Sequence, residues 1–140
     1  MALSSFIYPL LSIMILPFLF IAPTATMGRG VFTSENIPAG TVLEIAPVLV
    51  MGSADRKLLD QTLLHDYIFE WDNETGQCCM ALGYVPIYNH SFSSNCEYEM
   101  DWAQQQMRIK AMRAIKAGEE LFINYNGEWN DAKPLWFEAK

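Results

Sequence analysis

Positively charged side chains are scarce in this 140-residue sequence. Nine Lys and Arg stand against 16 Asp and Glu, which gives a formal net charge of −7. Because phosphate backbones are bound by basic patches, this balance argues against nucleic acid as a direct ligand. An acidic surface suits a basic partner such as a lysine-rich peptide, although net charge speaks first to solubility.

Motifs for metal binding and nucleophilic catalysis are also missing. There are two histidines and three cysteines, Cys78, Cys79 and Cys96, with no C-x-x-C pair. Structural zinc sites use such pairs, so we expect no zinc. An odd number of cysteines does not form a disulfide framework, which favours reduced thiols and a cytoplasmic protein. Ser91 lacks a G-x-S-x-G context, which argues against a hydrolase.

Charge of either sign is absent from Met1 to Gly28. A membrane helix needs about 20 largely apolar residues, and here Pro9 and Pro17 interrupt the apolar run. A signal peptide would begin with a positively charged region, which this sequence lacks. We therefore expect neither, and a membrane-tethered or exported form is the alternative if this leader is genuine.

The domain is predicted to begin just after the leader. Pro17–Ala22 is typical of a first buried strand. We therefore assign residues 17–140 to one domain and residues 1–16 to an apolar leader or a mis-assigned start. In the second case, which we favour slightly, Met14 is the initiator and residues 1–13 are a mis-assigned extension. A domain of this length can bury a core without disulfides or metals.

Short strands separated by turns dominate the rest of the sequence. Strands are predicted in 42–51 with an interruption at Pro47, in 96–102 and 107–115, where apolar and polar residues alternate, and in 121–123. One helix over 54–66, capped by Ser53, is predicted from leucines at helical spacing. This pattern indicates a mostly β domain.

Three segments together resemble motifs of the SET domain family of protein lysine methyltransferases. They are Met27–Phe32 (MGRGVF), Asn89–Cys96 (NHSFSSNC) and Gly118–Tyr125 (GEELFINY). The resemblance runs from about Pro17 to the end, without cysteine-rich flanking segments. It implies a β-clip-like SET fold, in which several small sheets and one short helix surround a knot-like C-terminal crossing.

The resemblance also implies a reaction, methyl transfer from S-adenosylmethionine to a protein lysine. Tyr125 is the implied catalytic residue, and whether it acts as a base is open because its ordinary pKa is ~10. The implied cofactor-binding residues are Gly28, Arg29, Gly30, Asn89, His90, Tyr125 and Trp136. The implied substrate-binding residues are Tyr98 and Tyr88. Core packing is the structural alternative for Tyr125 and for Tyr98, since aromatic residues are common in strands.

Two departures from the family pattern keep a second hypothesis open. Ser94 replaces the usual proline, which would loosen its turn, and Gly127 stands where a second tyrosine often follows. The alternative function is therefore a catalytically weak or inactive SET-like peptide-binding module. The aromatic tail, with Trp129, Trp136 and Phe137, is predicted to close the site or to pack on the domain.

The expected partner is a lysine-containing protein or a basic peptide. The acidic row Glu97, Glu99 and Asp101 could attract such a peptide, although charge rows are usually only solvated faces. A peptide could pair as an extra strand along a sheet edge, and a second copy of the chain could cover an exposed edge as a homodimer. The predicted location is cytoplasmic, or nuclear in a eukaryote.

Overall fold

A computed structural model describes residues 13–127, and these form ten strands, one α-helix and two 3₁₀ segments. The strands are β1 Met14–Ile15, β2 Leu19–Pro23, β3 Arg29–Thr33, β4 Val42–Met51, β5 Phe69–Asp72, β6 Gln77–Ala81, β7 Asn89–His90, β8 Cys96–Asp101, β9 Gln106–Ala111 and β10 Glu120–Ile123; the helix is α1 Ser53–Leu59, and the 3₁₀ segments are Leu63–Asp66 and Val85–Ile87. The predicted mostly β fold is confirmed. Within the described residues no helix is long and apolar enough to cross a membrane.

The larger sheet has the strand order β5-β6-β4-β9-β8, and β1 pairs with β4 beside this path. The predicted interruption at Pro47 is wrong, because β4 runs unbroken through the proline. Residues up to Pro47 pair with β9, whereas Val48–Met51 pair with β6. A proline lacks the N–H that a continuous ladder requires, and this one lies where β4 changes partners.

The helix is shorter than the sequence predicts. It begins at Ser53 with Gly52 as its N-cap, so Ser53 is not the cap, and it ends at Leu59. The Thr62 hydroxyl donates to the Leu59 carbonyl and accepts from the Leu64 N–H, which turns the chain into a 3₁₀ segment instead. The leucines at helical spacing do not form a buried face, since Leu58 is 67% exposed.

The first strand also differs from its prediction. Strand β2 begins at Leu19, which is its one fully buried residue, and Phe20 is 42% exposed. The reason is its position, because among residues 13–127 β2 is an edge strand that pairs with β3 alone. Before it, Met14 and Ile15 pair with Ile45 and Glu44 of β4.

The smaller sheet has the order β2-β3-β10-β7 and brings the three motifs together. Strand β10 lies antiparallel to β3, with Leu121 opposite Val31, and parallel to β7, with Ile123 opposite His90. The predicted strand at 121–123 is thereby confirmed. The side chains of Leu121 and Ile123 are fully buried, so core packing holds the junction of the three segments.

The hairpin of β8 and β9 confirms part of the predicted alternation. Met107, Ile109 and Ala111 of β9 are buried, and their neighbours face outward. Strand β9 ends at Ala111, however, and Ile115 makes only an isolated bridge to Ile37. The three cysteines are buried and free of disulfides.

Candidate active site

Strands β3, β7 and β10 meet at the Asn89 side chain. Its Nδ2 donates to the carbonyl of Arg29, at 3.1 Å, and to Oε2 of Glu120, at 2.8 Å. A Cβ on Gly30 would collide with the Glu120 carboxylate and would lie 3.0 Å from Asn89 Nδ2. Gly30 therefore lets these polar groups approach the β3 backbone closely.

The turn that leads into β3 exposes its backbone. Gly28 has φ +68, a left-handed conformation that favours glycine, and a Cβ there would meet no heavy atom within 4 Å. Thr24 closes this turn, because its N–H donates to the Gly28 carbonyl and its hydroxyl accepts from the Met27 N–H. The Arg29 side chain is exposed. The predicted Gly28–Gly30 segment thus presents an open backbone beside Asn89.

The loop after β7 is clamped onto β10. Asn95 is 2% exposed, and its side chain donates to the Glu120 carbonyl, at 2.9 Å, and accepts from the Phe122 N–H, at 2.8 Å. The Ser91 N–H donates to the Ile123 carbonyl. The buried Ser94 hydroxyl donates to the Cys96 carbonyl, at 2.9 Å, so the turn that lacks the usual proline is held by a hydrogen bond.

His90 joins this loop to Tyr125. Its Nδ1 accepts from the Tyr125 N–H, at 3.1 Å, and its ring lies 5.1 Å from the Tyr125 ring between centroids. Burial lowers the pKa of His90, which favours the neutral ring. Because Nδ1 accepts, the proton of the neutral ring is on Nε2. That buried atom has no hydrogen-bond partner among residues 13–127, so it remains able to donate to a ligand.

Tyr125 and Tyr98 lie side by side, as the sequence predicts for a shared site. The Tyr125 hydroxyl donates to the Tyr88 carbonyl, at 2.7 Å, and the Tyr98 hydroxyl donates to the Tyr125 carbonyl, at 3.4 Å. Burial raises the pKa of both Tyr98 and Tyr125 to about 12. Both phenols are therefore protonated at neutral pH.

Both tyrosines line a cavity of about 410 Å³. Its lining residues are Arg56, Asp60, His65, Asp66, Tyr67, Ile68, Phe69, Glu70, Pro86, Tyr98, Tyr125 and Asn126. The Phe69 ring contacts Tyr98 edge-on, with centroids 5.2 Å apart, and also faces Tyr125 at 6.4 Å. An aromatic wall with charged groups around it suits a long side chain that ends in an amine.

Tyr88 occupies a different place from the one predicted. Its side chain is fully buried in the core, and the cavity lining does not include it. It contributes its backbone carbonyl, which fixes the Tyr125 hydroxyl. A substrate contact by the Tyr88 side chain would require the core to open, because its hydroxyl lies among buried residues of β4 and β8.

Several residues of the site escaped the sequence analysis. Phe69 and Tyr67 wall the cavity, and Glu120 holds Asn89. The available signal was the run of aromatic residues between Asp66 and Glu74, which the acidic character of that segment obscured.

Trp136 and its aromatic neighbours Trp129 and Phe137 lie outside the described residues, so their predicted roles stay predictions. Residues 13–127 contain no cluster of three side chains that could hold a metal ion.

A family model for the SET domain matches residues 28–126. The chain belongs to the SET domain family. It is 36% identical over 119 residues to a histone-lysine N-methyltransferase of Schizosaccharomyces pombe specific for lysine 37 of H3, a match that covers 84% of this chain and 76% of the relative. The prediction of a protein-lysine N-methyltransferase of the SET family is confirmed at this level.

A solved structure shows the same fold. The crystal structure of a candidate histone methyltransferase from Plasmodium falciparum superposes with a TM-score of 0.60 at 24% sequence identity. The match covers 82% of this chain and 98% of that one. At this identity the likeness supports the fold, and the predicted SET fold is confirmed by it.

Proposed function

We propose that this SET domain protein transfers a methyl group from S-adenosylmethionine to a lysine side chain of a protein. The observation that carries the proposal is the position of Tyr125. Its backbone N–H donates to His90, and the same residue lines the aromatic cavity. One residue thus joins the motif that resembles a cofactor site to a cavity suited to an amine.

The residues around Asn89 fit an S-adenosylmethionine site. Gly28 leaves open space, Gly30 keeps the backbone beside Asn89 free of side chains, and His90 Nε2 is a buried donor without a partner in the described part of the chain. We assign cofactor binding to Gly28, Arg29, Gly30, Asn89, His90 and Tyr125, and we retain Trp136 as a prediction. When bound, the cofactor supplies a methyl group on a positively charged sulfur.

The protein's own task is to hold a neutral amine in line and to exclude water. A free lysine has a pKa of ~10.4, so only about one in 2,500 is neutral at pH 7. Tyr125 is protonated, and its hydroxyl already donates to the Tyr88 carbonyl, so it does not act as a base near neutral pH. Its oxygen accepts a hydrogen bond from the amine and thereby orients it. Tyr98 and Phe69 confine the amine beside it.

The substrate class follows from the cavity and from the relative. The S. pombe relative acts on a histone lysine, and we propose a lysine of a basic, histone-like protein as substrate here. Such a substrate places the enzyme in the nucleus or cytoplasm. A peptide paired along a sheet edge and a homodimer that covers such an edge remain proposals.

The test is methyl transfer from an isotopically labelled donor to proteins of a cell extract, followed by mapping of the labelled lysines. Tyr125→Phe removes the hydroxyl alone, and we expect transfer to fall roughly 100-fold, a loss similar to that of one positioned hydrogen-bonding group in an active site. Tyr84→Phe is the matched control, since the cavity lining does not include Tyr84. Unchanged transfer by folded Tyr125→Phe would remove Tyr125 from the mechanism.

A binding module without catalysis is the second candidate. Gly127 favours it, because a Cβ there would lie 3.5 Å from the Tyr98 hydroxyl, so a glycine leaves that side of Tyr98 without a second aromatic wall. Calorimetric titration with S-adenosylmethionine separates the two functions. Donor binding together with label transfer supports the enzyme, whereas binding without transfer to any protein supports the module.

A further inference from the structure

One carboxylate that lines the aromatic cavity has no partner among the residues that the structure describes. Arg56 lies 3.5 Å from Glu70 and 3.9 Å from Asp60, and His65 Nδ1 lies 2.9 Å from Asp60. Asp66, by contrast, is exposed and makes no salt bridge or side-chain hydrogen bond with any residue from 13 to 127. Asp66 is therefore the carboxylate of the cavity lining that no side chain among residues 13–127 pairs.

Asp66 belongs to the same cavity as the two site tyrosines. It lies at the end of the 3₁₀ segment Leu63–Asp66, and it lines the cavity with Tyr98 and Tyr125. After burial and the neighbouring Tyr67, its charge is a further cause of the raised pKa of Tyr125. Its charge therefore also acts on the part of a substrate protein that lies against this cavity.

The acidic row found in the sequence is less suited to recognise a cation. Glu99 is 3.4 Å from Lys110 and 3.9 Å from Arg108, both on the neighbouring strand β9. Both carboxylate oxygens of Asp101 accept from Gln104. These charges are engaged within the β8–β9 hairpin, which leaves Asp66 as the better recognition group.

We propose that Asp66 is a specificity-determining residue that binds a cationic side chain next to the target lysine in the substrate protein. This inference rests on the proposed methyl transfer and names which lysines the site prefers. Asp66 does not serve the target amine itself, because a carboxylate beside that amine would stabilise its charged, unreactive form. An exposed position at the mouth suits a neighbouring residue that stays in solvent.

The expected preference is modest. Exposed ion pairs typically contribute up to about 1 kcal/mol, which corresponds to roughly a fivefold change in kcat/KM. Salt screens such a pair, since the Debye length is about 10 Å at 0.1 M. The preference for a flanking cation should therefore shrink as the salt concentration rises.

The experiment compares two synthetic peptides that carry the mapped target lysine and differ only in arginine or citrulline beside it. Wild type should favour the arginine peptide about two- to fivefold in kcat/KM, and Asp66→Asn should treat both peptides alike. Asp55→Asn, an exposed carboxylate on α1 that does not line the cavity, is the matched control and should keep the preference.

A charge reversal distinguishes recognition from a structural effect. Asp66→Lys should prefer a peptide with glutamate beside the lysine, which no loss of stability would produce. The inference is overturned if the arginine-to-citrulline ratio is the same in wild type and Asp66→Asn, or if the variant slows both peptides equally. Absence of transfer by wild type to any protein would instead overturn the proposed function, and this inference with it.

Discussion

Replacing Glu44 by glutamine should reveal a buried carboxyl group through the pH dependence of stability. Glu44 lies on β4 and is fully buried, and its Oε2 accepts from the Tyr84 N–H at 2.7 Å. Its Oε1 and the Tyr88 hydroxyl have no partner in good hydrogen-bond geometry within the described chain, although each is close enough to affect the other's pKa. Burial raises the pKa of Glu44 from 4.5 to about 7, against the opposing effect of the hydrogen bond from the Tyr84 N–H.

The sign of the effect follows from which state holds the proton more tightly. Below pH 4.5 Glu44 carries its proton in both the folded and the unfolded chain. Its full contribution to the free energy of unfolding is then present. Between pH 4.5 and about 7 the unfolded chain has released the proton while the folded protein retains it, so stability falls as pH rises. A tenfold change in proton affinity is about 1.4 kcal/mol, which gives a total loss of roughly 3 kcal/mol.

Denaturation by urea at a series of pH values from 4 to about 8 measures this loss as a difference between proteins. The free energy of unfolding of Glu44→Gln minus that of wild type should rise by about 3 kcal/mol across the window. Glu119→Gln is the control with the opposite sign, because hydrogen bonds from Arg113 and the Lys116 N–H lower the pKa of Glu119. Its stabilisation is present at neutral pH and is lost as the solution is acidified. The reasoning is refuted if the difference in free energy of unfolding between Glu44→Gln and wild type stays constant from pH 4.5 to 7.

Two further substitutions test the junction of the three motifs. Gly30→Ala should weaken S-adenosylmethionine binding, measured by calorimetry, at least about tenfold while the protein stays folded. The reason is that the new Cβ displaces the Glu120 carboxylate and the Asn89 amide. Unaltered affinity would exclude this segment from the cofactor site. Asn95→Ala should lower the free energy of unfolding by about 2–4 kcal/mol in urea, since two backbone groups of β10 lose their partners, and a loss below about 0.5 kcal/mol would show that the clamp is dispensable.

The sequence was sufficient to predict those elements whose residue pattern lies within one strand or turn. The alternation of Met107 and Ile109 predicted the buried face of β9, and the apolar run after Gly118 predicted β10. Local pattern failed at Pro47, where a strand continues because its partner changes, and at Thr62, where a hydroxyl ends a helix that the leucine spacing extends. These outcomes depend on neighbours that periodicity does not describe.

In the candidate site, too, some residues could be identified from the sequence and others only from the fold. The motif resemblance selected Asn89, His90 and Tyr125 without coordinates, because these residues lie within short, recognisable segments. It could not assign Tyr88 correctly, since only the packing shows that its side chain is buried and that its carbonyl faces Tyr125. Phe69 and Asp66 belong to no motif and join the cavity only through the fold.

The sequence by itself determined the family, the mostly β character and the identity of the motif residues, because these are properties of residue types and their order along the chain. Only the tertiary structure decided which groups face one another. It put β10 between β3 and β7, left Asp66 without a counter-ion among residues 13–127 and enclosed Glu44 in the core. Contact, desolvation and charge pairing arise between segments distant in sequence, so they are set by packing.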